Sequence, residues 1–165
     1  FENIEELRGA IAAGRCAAYA SATSTLAAFR AGLGDRGNEF VLLPEIFSKE
    51  PLGPAVRKGD WKFCDIVRWT HYALITAEEC GITQANVDQM RTSADPVVGR
   101  ILGTGEDTGK LLGLDKEWAA RAIKAVGNYG EIFERNVGPK SPLNLPRGTN
   151  AQWNKGGLMY APPIR

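Results

Sequence analysis

The sequence predicts an α/β chain with fewer strands than its helices require, on three observations. Short runs at 16–21 (CAAYAS) and 40–43 (FVLL) are flanked by turn-forming or helix-capping residues, as strands are. Between and after them, apolar residues recur at steps of three and four, the spacing of one helix face. About three strand candidates then stand against roughly six helices, where a two-layer α/β architecture needs enough sheet to cover the helices' apolar faces. Part of the sheet is expected to lie outside this chain.

The elements follow in order. Residues 2–14 place Ile4, Leu7 and Ile11 on one helical face with acidic residues in the first turn, and Gly14 is the expected stop. The run 16–21 reads as a strand, and the hydroxyls of 21–25 as caps for a second helix through Leu26, Phe29 and Leu33. Residues 40–43, closed by Pro44, read as a strand buried on both faces. Gly53 and Pro54 make 45–57 a crossing segment or edge strand. Gly59 and Asp60 open a long helix carrying Phe63, Ile66, Val67, Ala73, Leu74 and Ala77, with Gly81 as a left-handed cap. A shorter helix from Thr83 carries Val87 and Met90, and Asp95 followed by Pro96 is a cap and first-turn pair. Asp115 is expected to cap one last long helix running to Val137, whose inner Gly127 and Gly130 imply close packing against a neighbour. Beyond Ser141, prolines and glycines leave an extended tail whose Leu143, Trp153, Leu158, Met159 and Tyr160 need a surface to lie on.

Composition narrows the function classes. With 44% hydrophobic residues in 165, the chain is long and apolar enough to bury a core. A formal net charge of +1 argues against a polyanion partner, so no nucleic acid is expected. The chain starts at Phe1 without a leader, as if an upstream signal had been removed. Three cysteines are an odd number, which in an exported protein implies a free thiol or a partner outside the chain. Cys64 and Cys80 fall on one expected helix about 24 Å apart in rise, so they do not pair with each other. Cys16 is the better disulfide candidate.

Chemistry-bearing patterns are sparse. Residues 103–110 (GTGEDTGK) lack the glycine spacing and the hydroxyl after lysine that a phosphate-binding loop requires, and a helix, not a strand, precedes them. His71 is the single histidine and has no metal-spaced companions, so no metal and no cofactor are expected. Cys16 would depend on His71 alone for activation as a nucleophile, and a structural thiol is the simpler reading. Glu5 with Glu6 and Glu78 with Glu79 read as solvated helix charge. Trp153 and Tyr160 read as packing the tail onto its own domain. No catalytic residues emerge.

Long stretches nevertheless carry a family likeness. Residues 48–60 (SKEPLGPAVRKGD), 65–88 (DIVRWTHYALITAEECGITQANVD), 126–148 (VGNYGEIFERNVGPKSPLNLPRG) and 150–165 (NAQWNKGGLMYAPPIR) resemble the general L-amino-acid-binding proteins of polar-amino-acid ABC transporters. The resemblance covers essentially the whole chain. It implies the two-lobed periplasmic-binding-protein fold, type II, here only its C-terminal half with few strands and many helices. In such proteins an amino acid is clamped as two lobes close, and membrane permease subunits then receive it. It further implies that residues 1–45 belong to the second lobe, 46–51 to the return crossing, and 52–165 to the first lobe with a docked tail. The N-terminal half of the same protein would supply the other strands and a disulfide partner for Cys16, and the location would be the periplasm. The candidate ligand-binding positions are Ser21, Ala22 and Thr23 at the start of the second helix. The sequence departs from the family pattern there: Ala17 and Ala22 stand where acidic residues are usual, and the second of these acids pairs with the ligand's α-ammonium. Two other classes are weighed against solute capture. One is an enzyme on the same two-lobed fold, which would need a catalytic pair. The other is a structural or interaction fragment that no longer binds ligand, which Ala22 would suit.

Overall fold

The structure is a computed structural model that describes residues 2–165. The described chain divides into two units: residues 2–52 with Val137–Leu145, and Gly53–Asn136 with Pro146–Arg165.

In the first unit, α1 (Ile4–Ala12) starts at Asn3, whose side chain accepts the Glu6 amide. Glu5 and Glu6 in its first turn face the positive end of the helix dipole. Gly14, at φ 70°, ends it as expected. α2 (Thr23–Gly32) leads into a tight 3-10 turn, Gly34–Glu39. Gly37 is fixed there by contact, because a Cβ would run into the Arg30 carbonyl. Arg36 reaches back to the Ala12 carbonyl at 2.7 Å, and Phe29 stands edge-on to both Tyr19 and Phe40. The buried apolar residues of this unit are few: Ala10, Ile11 and Ala27.

Neither expected strand forms. Residues 16–21 and 40–43 make no strand pairing, and Val41 and Leu43 are 80% and 70% exposed instead of buried. A strand exists only through a partner's hydrogen bonds, and the one bridge among the described residues is isolated, joining Gln152 to Met159. The apolar content of 40–43 is legible in the sequence, but burial needs a covering segment, and no described segment covers Val41 or Leu43.

The second unit holds the core. α3 (Trp61–Glu79) begins at Asp60, which accepts the Phe63 amide, and ends before Gly81 at φ 69°. α4 (Val87–Met90) follows a loop in which Thr83 and Asn86 bond each other's amides. α5 (Pro96–Leu102) is capped by Asp95, as the sequence implies. α6 (Gly109–Leu112), α7 (Trp118–Val126) and α8 (Tyr129–Asn136) complete the unit. Ala73, Leu74 and Ala77 of α3 pack with Ile101 and Leu102 of α5, Ile123 of α7, and Ile82 in one cluster that Ile164 of the tail closes. Each fully buried aliphatic side chain contributes about 1.5–3 kcal/mol. Trp118 joins the cluster while its indole N–H reaches Thr108 Oγ1 at 3.2 Å.

The expected single helix after Asp115 is two. Asp115 accepts the Glu117 amide in the lead-in turn, and α7 itself has no side-chain cap. Gly127, at φ 74° and ψ −175°, turns the chain out of α7. Asn128 then accepts the Glu131 amide while the Glu131 carboxylate accepts the Asn128 amide, a reciprocal pair that starts α8 afresh.

The tail does dock, but not through its large aromatics. Trp153, Leu158 and Tyr160 remain exposed, while Gln152 and Ile164 are buried. Trp153 keeps one tie, from its indole N–H to Glu79 at 3.1 Å. The solvated-charge reading of Glu78 is also corrected: its carboxylate binds Arg147 through two bonds of 2.9 and 3.0 Å, at 13% side-chain exposure. Arg147 lies over the rings of Tyr129 and Phe133 and donates to the Asn150 carbonyl. Gly130 makes the room, since a Cβ there would stand 2.8 Å from the Glu78 carboxyl carbon.

Candidate functional site

The three sequence-derived positions come together at the start of α2. Ala22 is its N-cap residue at φ −57° and ψ 139°, with no side-chain cap bond. The first bond of the helix runs from the Leu26 amide to the Ala22 carbonyl at 3.0 Å, so the amides of Thr23, Ser24 and Thr25 precede the ladder. Ser21 and Thr23 are exposed and Ala22 is half-buried. The expected hydroxyl caps do not form, because alanine occupies the position from which a side-chain oxygen would reach those amides. No acidic residue lies in the first turn. Three forward-pointing amides at the positive end of a helix dipole suit a carboxylate. Tyr19, packed edge-on to Phe29 at 6.0 Å, ties the approaching segment to the helix it enters.

Elsewhere, side chains are committed to structure. A polar hollow of about 470 Å³ lies at the far end of α2, lined by Arg30, Asn38, Phe40 and Asn144 among others. A smaller one of about 250 Å³ adjoins the 103–110 loop. Its Asp95 is spent on capping α5, and Gly103 turns out of α5 at φ 71°, so the loop acts as a helix exit. His71 is half-buried beside Tyr72 and Tyr129, and burial lowers its pKa. Burial, with Asp95 and Glu79 nearby, raises that of the Cys80 thiol and suppresses its thiolate. All three cysteines are free thiols. Among the described residues, no group of three His, Cys, Asp or Glu side chains is arranged to hold a metal, and no helix is long and apolar enough to cross a membrane.

Residues that sequence reasoning passed over are those whose partners are distant in the chain. Gln152, 77 residues from the Ile75 carbonyl it binds, and Arg147, 69 from Glu78, are examples. Asn128 and Glu131, in contrast, stood at capping-box spacing in plain view.

The helical arrangement is that of a known class. The chain superposes with a TM-score of 0.92 and 55% identity on an ABC transporter periplasmic binding protein from Brucella ovis with glutathione bound, over 100% of this chain and 52% of that one. The fold is therefore part of a periplasmic binding protein. The general L-amino acid-binding periplasmic protein AapJ of Rhizobium johnstonii is 58% identical over 167 residues, which cover 100% of this chain and 49% of AapJ. The glutamate/glutamine/aspartate/asparagine-binding protein BztA of Rhodobacter capsulatus is 54% identical over 155 residues, 93% of this chain and 46% of BztA. The putative amino-acid ABC transporter-binding protein YhdW of Escherichia coli K12 is 50% identical over 166 residues, 100% of this chain and 48% of YhdW. No protein-family model matches the chain. The chain is a homologue, along its whole length, of the amino-acid-binding proteins of ABC transporters, and it corresponds to their C-terminal half. It spans about half the length of the curated relatives it matches.

Proposed function

We propose that the full-length protein is the substrate-binding component of an ABC importer, which captures L-amino acids in the periplasm and delivers them to membrane permease subunits without a catalytic step. The observation that carries this reading is the high identity, sustained over this chain, to amino-acid-binding relatives. In this reading residues 1–45 form part of the second lobe, 46–51 the return crossing, and 52–165 the C-terminal part of the first lobe. Ligand bridging both lobes stabilises the closed form by its differential contacts.

Ser21, Ala22 and Thr23 form the second-lobe contribution to the site. The open amides at the start of α2 take the ligand's α-carboxylate, each charge-assisted bond contributing about 1.5–3 kcal/mol. Ala22 offers no carboxylate, so the α-ammonium finds its counter-charge elsewhere, in the half of the protein outside this chain.

Replacing Thr23 by proline in the full-length protein tests the site. Thr23 is the first helical residue and Ala22 has ψ 139°, so proline fits without strain and removes the amide hydrogen together with the threonine side chain, whose loss Thr23→Ala measures separately. Amino-acid affinity should fall about tenfold or more, with thermal stability unchanged, while Thr23→Ala should leave affinity nearly intact. Equal affinity in Thr23→Pro and wild type would exclude this amide from the site.

A further inference from the structure

One charged side chain of the second unit is not committed to the fold. Among the described residues, Arg8, Arg91 and Arg100 each bury an Nε that has no hydrogen-bond partner. Arg8 and Arg91 balance their charge on Glu5 and Glu117, but no ion pair among the described residues includes Arg100. A half-buried guanidinium with neither a counter-charge nor a bonded Nε is a net cost to the fold. A bound acceptor would offset it.

Arg100 lines the hollow of about 250 Å³, which lies wholly within this unit. The hollow is built on close backbone contact. The Thr104 and Gly105 amides both donate to the Gly99 carbonyl, at 2.9 and 3.0 Å, and so lay the loop against α5. Glycine permits the approach: a Cβ on Gly105 would stand 3.3 Å from the Gly99 carbonyl carbon. Ser93 and Thr104 add hydroxyls, and Ser93 Oγ, which accepts the Asp95 amide, keeps its hydrogen to donate. Two acids complete the lining: Asp95, with one oxygen on the Val97 amide, and Glu106, which joins no ion pair among the described residues.

Both signs of charge therefore face one small space without meeting. A simple anion there would have two carboxylates beside its arginine, and a simple cation would have the arginine. The volume is just below the roughly 300–1,000 Å³ of drug-sized sites, so the occupant has few heavy atoms. We propose that this hollow is a second binding site, for a small α-amino acid as its zwitterion. Its carboxylate pairs with Arg100, and its ammonium with Glu106 and the free oxygen of Asp95. The site shares no residue with Ser21, Ala22 and Thr23, and the inference stands apart from that assignment.

Titration of the full-length protein with glycine, followed by NMR of the arginine Nε–H groups, tests this. The Arg100 signal, identified by its loss in Arg100→Lys, should move along a saturable curve with a dissociation constant of about 1 mM. Acetate and methylamine, each carrying one half of the zwitterion, should bind about tenfold or more weaker. Glu106→Gln, at an exposed position, should weaken glycine about tenfold without weakening acetate. Thr23→Pro should leave the Arg100 curve unchanged, whether or not it abolishes binding at α2. An Arg100 signal that glycine does not move saturably overturns the proposal. So does acetate binding as tightly as glycine, which would make the hollow a plain anion site. Glu106→Gln without effect on glycine, or a curve lost in Thr23→Pro, overturns it as well.

Discussion

Replacing Arg147 by alanine should loosen the tail and weaken the helical unit. Arg147 and Glu78 are 20% and 13% exposed at their side chains, and the pair is joined by two bonds. Breaking a buried pair from one side costs about 3–5 kcal/mol, because the remaining charge is stranded. Partial exposure lets water reach Glu78 and brings this toward roughly 2–3 kcal/mol. Loss of the guanidinium's contacts with the rings of Tyr129 and Phe133 and with the Asn150 carbonyl adds to it. Urea unfolding followed by circular dichroism should show the loss, and limited proteolysis should cut between Pro146 and Arg165 first. Glu78→Ala should cost a similar amount, and the double variant much less than the sum, a coupling of about 1–3 kcal/mol. Additive effects, or a loss of less than about 0.5 kcal/mol in Arg147→Ala, would refute the clasp, being the range of ordinary surface substitutions.

Four further outcomes follow from the same unit. Gly130→Ala should destabilise by about 1–2 kcal/mol on urea unfolding: alanine favours a helix by about 1 kcal/mol, but its Cβ displaces Glu78 and Arg147 at a larger cost. Gln152 is 1% exposed, with its Nε2 donating to the Ile75 carbonyl and its Oε1 unpartnered, so Gln152→Leu loses one bond but removes one stranded acceptor and should change stability by less than about 1 kcal/mol. Gln152→Glu should be strongly destabilised at pH 7 and recover as the pH falls, since burial favours the protonated form and the folded state then binds the extra proton. For His71 the sign is opposite. Burial holds its folded pKa below the ordinary imidazole value of 6.5, so its contribution is fully present above that value and is lost as the pH drops toward the folded pKa; urea midpoints between pH 8 and pH 5.5 should fall less in His71→Gln than in wild type.

What the sequence made legible was local. Asp60, Asp95, Gly14 and Gly81 announce helix ends through bonds spanning a few residues, and the structure has all four. The break at Gly127 and Asn128 carried a local signal as well, but the apolar rhythm running through it from Ala119 to Phe133 masked it. Strands at 16–21 and 40–43 were not decidable from composition, because pairing is a property of two segments and no described segment pairs with either. The Arg147 clasp was hidden for a related reason: a pair of charges 69 residues apart leaves no periodic trace. At the candidate site, the helix start after Ala22 could be located, but not the failure of Ser21 and Thr23 to cap it. That failure follows from a one-residue offset between hydroxyl and N-cap position.

Calorimetric titration of the full-length protein with the common L-amino acids tests solute capture most directly. Saturable heat with at least one of them, lost when the amide of Thr23 is removed, is the predicted result. A correctly folded full-length protein that gives no heat with any of them would contradict the account.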